Sequence, residues 1–194
     1  MGKILLLLGI LLLPTTALAD RPFKELLAAA ENGDREAMLA TGLAYYRGAG
    51  VKPDCYEARR WLKNAAGAGE VEAIYRLGIV DDDGNCGLSQ AEQAAENFRK
   101  AADQGHAGAA FRLGELYRSG RGVDRDTDQA IRWLEKAAAR NDFRAYCSLA
   151  VIYAKGDEFK PNRPKAQALL RRGLASRSPE VLDHCREIRG EAGL

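Results

Sequence analysis

The chain reads as an all-α protein, an α/α solenoid of stacked helix hairpins closed by a capping helix at each end. Three observations carry that expectation. Small residues stand at Gly33, Gly69, Gly105 and Asn141, a period of 36 residues without insertion. Within each period an alanine-rich apolar stripe at helical spacing is followed by a turn glycine and then by a second such stripe. Where the second stripe begins stand Asp54, Asp126 and Asn162, side chains preferred at a helix N-cap.

Residues 1–19 are read apart from the fold. Lys3, the apolar run Ile4–Leu13, Pro14 and the small-residue step Ala17-Leu18-Ala19 form a secretory leader that is cut before Asp20. The run is too short for a permanent bilayer span; its alternative is a buried N-terminal helix. Lys3 is the only charged residue before Asp20, so processing takes the net charge from +2 to +1. That balance gives no footprint for nucleic acid, and there is no basic block to draw the chain to a membrane. Periplasmic or secreted location is expected, with no stable membrane insertion.

Residues 20–32 follow as a capping helix. The alanines 28–30 align with the second stripe of a unit, which makes this segment a leftover half-repeat. Residues 33–176 hold four units. Four after each anchor stand Ala37, Ala73, Ala109 and Ala145; eight and nine after it, Thr41-Gly42, Leu77-Gly78, Leu113-Gly114 and Leu149-Ala150. Twelve after it come Tyr45, Asp81, Tyr117 and Tyr153, then the turn glycines Gly48, Gly84, Gly120 and Gly156. Ala58, Ala94, Ala130 and Ala166 open the second stripe, with Trp61 and Trp133 matched and Asn97 and Leu169 in their place elsewhere. Positions 4, 8, 11 and 12 share one helix face, the small ones let a second helix close in, and the turn glycine supplies the positive φ that ends the first. One hairpin cannot bury its apolar face alone, so units must stack. Residues 177–194 form the last cap and tail. Ser178-Pro179 starts the helix, Val181, Leu182, Cys185 and Ile188 face the stack, Asp183, Arg186, Glu187 and Arg189 face water, and Gly190 ends it.

Unit two departs most. Asp81-Asp82-Asp83 lacks the alternating acids and distal glutamate of a calcium loop and reads as a solvated helix end, opposed to the helix dipole.

The pattern A-x3-L-G-x2-Y-x2-G followed by A-x2-W-x3-A-A-x2-G is carried in unit three by Ala109, Leu113, Gly114, Tyr117, Gly120, Ala130, Trp133, Ala137 and Ala138. It resembles the Sel-one-like repeat, a relative of the tetratricopeptide repeat, over about Gly33 to Arg177. The resemblance implies a right-handed superhelix and an adaptor's function: binding an unidentified protein or peptide in the groove, as an envelope-assembly factor, a motility accessory or an immunity protein against a toxic effector. A monomer is expected. In the tetratricopeptide arrangement positions 6, 10 and 13 of the first helices face the groove. Here that gives Leu39, Tyr46, Tyr75, Asp82, Phe111, Glu115 and Arg118 as partner-binding candidates; Tyr75 and Phe111 could equally be packed between helices.

Catalytic, metal and cofactor sites are not expected. The two histidines, His106 and His184, lie far apart in a linear stack and read as ordinary surface residues; no C-x-x-C or H-E-x-x-H occurs. Some cysteine-rich relatives are described as β-lactamases, so the alternative function is a hydrolase of cell-wall or β-lactam substrates, but its Ser-x-x-Lys motif does not occur. The glycine pairs Gly48, Gly50 and Gly120, Gly122 belong to helix turns. The four cysteines are expected as the disulfides Cys55–Cys86 and Cys147–Cys185, since only cysteines in the same or neighbouring units can approach to bridging distance. Four buried free thiols are the alternative.

Overall fold

A computed structural model describes residues 21–87, 90–156 and 160–193; the expected leader lies outside the described residues. Among these the chain forms ten α-helices: α1 (Phe23–Glu31), α2 (Arg35–Arg47), α3 (Cys55–Gly67), α4 (Val71–Asp82), α5 (Ala91–Asp103), α6 (Ala107–Ser119), α7 (Thr127–Ala139), α8 (Arg144–Lys155), α9 (Arg163–Leu174) and α10 (Pro179–Ala192), with a 3-10 turn at Gly84–Cys86. Each helix from α1 to α9 packs chiefly on its neighbours in the chain. The even-numbered helices open units and the odd-numbered ones complete them. Among the described residues α1 is therefore a second helix with no first helix before it, and α10 follows the last complete hairpin.

The repeat positions explain these elements locally. Gly33, Gly69 and Gly105 between units have φ of 92°, 88° and 91°, and Asn141, their fourth equivalent, has φ 65°; asparagine is the non-glycine residue that tolerates this region best. Asp54 accepts hydrogen bonds from the Tyr56 and Glu57 amides, Asp126 from Gln129 and Asn162 from Lys165, which caps α3, α7 and α9. A Cβ on Gly42 or Gly114 would stand 2.8 Å from Leu62 Cγ or 2.7 Å from Leu134 Cγ. The glycine nine residues after the anchor in these units thus sets how closely the two helices of the hairpin pack.

The core is continuous from unit two to unit four, through Tyr75, Phe98, Phe111, Leu113, Trp133, Leu134 and Leu149. Smaller clusters lie at the N-terminal end around Trp61 and Leu62 and at the C-terminal end around Cys147 and Cys185. Both disulfides form as expected, with Cα atoms 5.6 Å apart at Cys55–Cys86 and 5.3 Å at Cys147–Cys185. The first has a non-covalent counterpart. Gly122, one unit beyond Cys86, lies so close to the Ala91 carbonyl that a Cβ would overlap it, and Ala91 stands one unit beyond Cys55. A turn resting on the start of the preceding second helix is thus a feature of the repeat, and unit two makes that contact covalent.

Four expectations are corrected. Asp81 is not solvated: it is 4 % exposed, bound to Arg59 Nε at 2.8 Å and to Asn97 Nδ2 at 3.0 Å. Asp82 pairs with Arg121 at 2.6 Å and Asp83 accepts from the Tyr46 hydroxyl, so basic or hydroxyl partners from other units offset the unfavourable position at the helix end. Gly84 does not end α4 in a left-handed turn, because extended Asp83 stops the helix and the positive φ falls instead at Gly87, beyond bridged Cys86. In α10 Ser178 holds the N-cap position without a side-chain bond, and the helix runs past Gly190 to a left-handed Gly193.

Candidate functional site: a charged cleft under the last helix

α10 packs more on α8 than on α9. The cause is local. Cys185 is bridged to Cys147, which holds position 6 of α8, and Gly173 of α9 has no side chain where the sulfurs lie. The last helix is thereby held against the face of α8 that carries Cys147. Its residues Glu180, Asp183, His184 and Glu187 come to face Phe111, Arg112, Glu115 and Arg118 of α6 across a cleft of about 620 Å³.

The floor is aromatic and the walls are charged. Phe111, 3 % exposed, lies beneath the Arg144 guanidinium at 4.4 Å, with the His184 ring edge-on at 5.4 Å. Arg144 is fixed by Asp142 at 2.6 Å and by Glu180 of α10 at 3.1 Å. Arg118 pairs with Glu115 at 2.8 Å, one helical turn away. Arg121 at the rim binds Asp82, which ties unit two to the cleft. Arg112 Nε is buried without a hydrogen-bond partner among the described residues. His184 Nε2 is hydrogen-bonded to Ser148 Oγ at 3.3 Å. Burial holds its pKa below the ordinary histidine value; Arg144 acts in the same direction, while Glu115 opposes.

Of the seven groove candidates, the structure brings Phe111, Glu115 and Arg118 together here, with Asp82 joined through Arg121. The others are spent between units. Tyr75, 9 % exposed, is stacked on His106 at 4.3 Å and packs against Phe98. Leu39 lies against the cluster around Leu62 and Leu77. The Tyr46 hydroxyl donates to Asp83, and burial with that carboxylate pushes its pKa up to about 12. His106 is no ordinary surface residue either. Its Nδ1 accepts from the Ala109 amide and caps α6, which leaves the proton on Nε2 for Glu72 at 2.8 Å. That bond, aided by Arg76, holds Glu72 below the usual carboxylate range against the effect of burial.

The sequence reading missed the α10 wall and Arg112, Arg121 and Arg144. One signal was available: Cys147 belongs to the same stripe as Tyr75 and Phe111, so a bridge from it to Cys185 already requires α10 to lie on the side of the stack that this stripe faces.

Among the described residues no cluster of histidine, cysteine or acidic side chains could hold a metal ion. None of their helices is long and apolar enough to cross a membrane. The family profile described as the Sel1 repeat matches residues 35–70, 71–106, 107–142 and 144–176. No curated protein matches the chain. Among solved structures it is similar to a protective antigen of uropathogenic Escherichia coli with the SLR fold, at 26 % identity and TM-score 0.75 over 90 % of this chain and 37 % of that one. It is also similar to a Sel1 repeat protein from Oxalobacter formigenes, at 25 % identity and TM-score 0.68 over 80 % of this chain and 62 % of that one. Helicobacter pylori cysteine-rich protein B shares the fold at 18 % identity and TM-score 0.54, over 66 % of this chain and 93 % of that one. The chain thus spans less than two thirds of the first two.

Proposed function

This chain belongs to the Sel1 repeat family, and from that premise we propose that it is an exported adaptor whose C-terminal cleft holds a polypeptide segment of a protein partner. The carrying observation is the cleft itself, an aromatic floor between an arginine-bearing wall on α6 and an acidic wall on α10. A mixed-charge rim over a buried aromatic and arginine centre is the composition of an interface that selects its partner by charge. Phe111 serves as floor, Glu115 and Arg118 as contacts, and Arg112, Asp183 and Glu187 join them. The two disulfides suit a chain that folds in an oxidising, extracytoplasmic compartment. Periplasmic or secreted residence, action as a monomer and work without catalysis or cofactor complete the reading. The hydrolase alternative draws no support from Ser148 and His184, since Ser148 is 1 % exposed beneath α10.

Photo-crosslinking in the cell envelope tests the reading. A photoreactive residue at Asp183 should give one dominant protein adduct, and the same residue at exposed Glu135 on α7, outside the cleft, should give none. Equal adducts at both positions, or none at Asp183, would overturn it.

A further inference from the structure

A second cavity, of about 510 Å³, lies at the other end of the stack. Phe23 and Leu26 of α1, Leu43 and Arg47 of α2, Gly50 and Arg21 line it. The repeat register says what the cavity is. In units one, two and three the second helix sets Leu62, Phe98 or Leu134 against the glycine of its own first helix, Gly42, Gly78 or Gly114. Leu26 stands one period before Leu62. Among the described residues no first helix lies in that position, and the cavity occupies it.

We propose that this cavity is a docking site for an amphipathic helix of a partner protein, which completes α1 as the missing first helix would. The occupant's chemistry follows from the walls. Toward Leu26 it must present glycine or alanine, because larger side chains are excluded at the matching contact in the other hairpins. The helices of a hairpin are antiparallel, so the occupant ends where α1 begins, beside Arg21. Arg47, at the end of α2, lies at the same end. Neither arginine forms an ion pair among the described residues. They face the occupant's C-terminal carbonyls, where cations are favourable, and would meet carboxylates there. Tyr46 and Asp83 already make an analogous contact between the ends of α2 and α4. The occupant is therefore a helix with a small-residue step on its apolar face and acidic residues at its C-terminal end, bound in the helix-in-groove mode. The site is separate from the C-terminal cleft, and it requires that residues 1–19 be removed on export.

The test uses the chain beginning at Asp20 and a fluorescein-labelled synthetic peptide with the sequence Glu70–Asp83, which contains a Leu-Gly step and three terminal aspartates. Fluorescence anisotropy should show saturable binding. Leucine in place of the peptide's glycine should weaken it at least about tenfold. Arg47→Glu in the protein should weaken it comparably, and lysines in place of the peptide's aspartates should restore binding to that variant alone. Leu43→Asp should abolish it while circular dichroism stays helical. Binding indifferent to Arg47→Glu and Leu43→Asp would overturn the proposal. So would a mature chain that dimerises by sedimentation and becomes monomeric on Leu43→Asp, since the occupant would then be a second copy. Retention of residues 1–19 in the envelope-isolated protein, read by intact mass, would overturn it as well.

Discussion

Two departures from the repeat in unit two meet in space. Asp81 replaces a tyrosine and Asn97 a tryptophan, and the two side chains are hydrogen-bonded, with Arg59 of α3 completing the buried group. A buried ion pair is costly to break from one side. Asp81→Ala should therefore lose about 3–5 kcal/mol, read as a shift of the urea midpoint. Asp81→Tyr with Asn97→Trp should lose less than its two single changes add up to, because it restores the pair seen in units one and three. Aligning the units shows that both positions depart, but not that they touch. The same alignment placed Asp81 in solvent because it scored the residue's own hydration and had no access to Arg59 across the unit boundary. His184 gives a pH dependence. Its folded pKa is depressed below the ordinary 6.5, so the unfolded chain binds the extra proton first. The contribution to stability is whole above about pH 6.5 and is lost as pH falls below it. Glu115 and Glu187 soften that loss; Arg144 and Arg118 sharpen it. Urea midpoints between about pH 7 and 5 should fall for the parent protein and fall less for His184→Gln.

At the scale of elements, α10 holds the lesson. Its apolar stripe was legible, and so was the pairing of Cys185 with Cys147. The destination of its polar face was not. Amphipathicity tells which side of a helix is wet; it does not tell whether the water belongs to open solvent or to a cleft with a second wall. Cys147→Ala with Cys185→Ala should cost about 4 kcal/mol in the chain-entropy model. Amide exchange should then quicken in α10 ahead of α8, since Arg144–Glu180 and Ser148–His184 are the main polar ties that remain between them. The hairpin of unit three offers the opposite case. Gly114 was read from sequence as a close-approach residue, and Leu134 lies against it. Gly114→Ala should cost about 1–3 kcal/mol by overpacking, measured by denaturant titration.

For the whole molecule, period and composition were enough for the architecture, because the same residue pattern recurs at the same offsets in four units. The distribution of stability was not legible that way. The largest cluster of buried residues runs from Tyr75 to Ile152, whereas α1 and α2 rest on a small cluster about Ala30, Ala37 and Trp61. Hydrogen exchange in the native state should be slowest in α6 and α7 and fastest in α1, as expected of nearest-neighbour stacking. Uniform protection across the units would contradict this picture.

The two disulfides also decide how such a chain would answer a pull on its ends. Tension entering at Cys55 leaves at Cys86 through sulfur and bypasses the rest of α3 and all of α4. At the other end it bypasses α9 and much of α8 and α10. The slack available to a stretching force is confined to the N-terminal helices, which rest on the smaller core, and to the middle of the stack. Each residue released there yields about 3.5 Å of extension. A partner held at the C-terminal cleft would thus grip one wall, α10, that stays tied to α8 as long as the surroundings are oxidising, and another, α6, that belongs to the extensible middle of the stack.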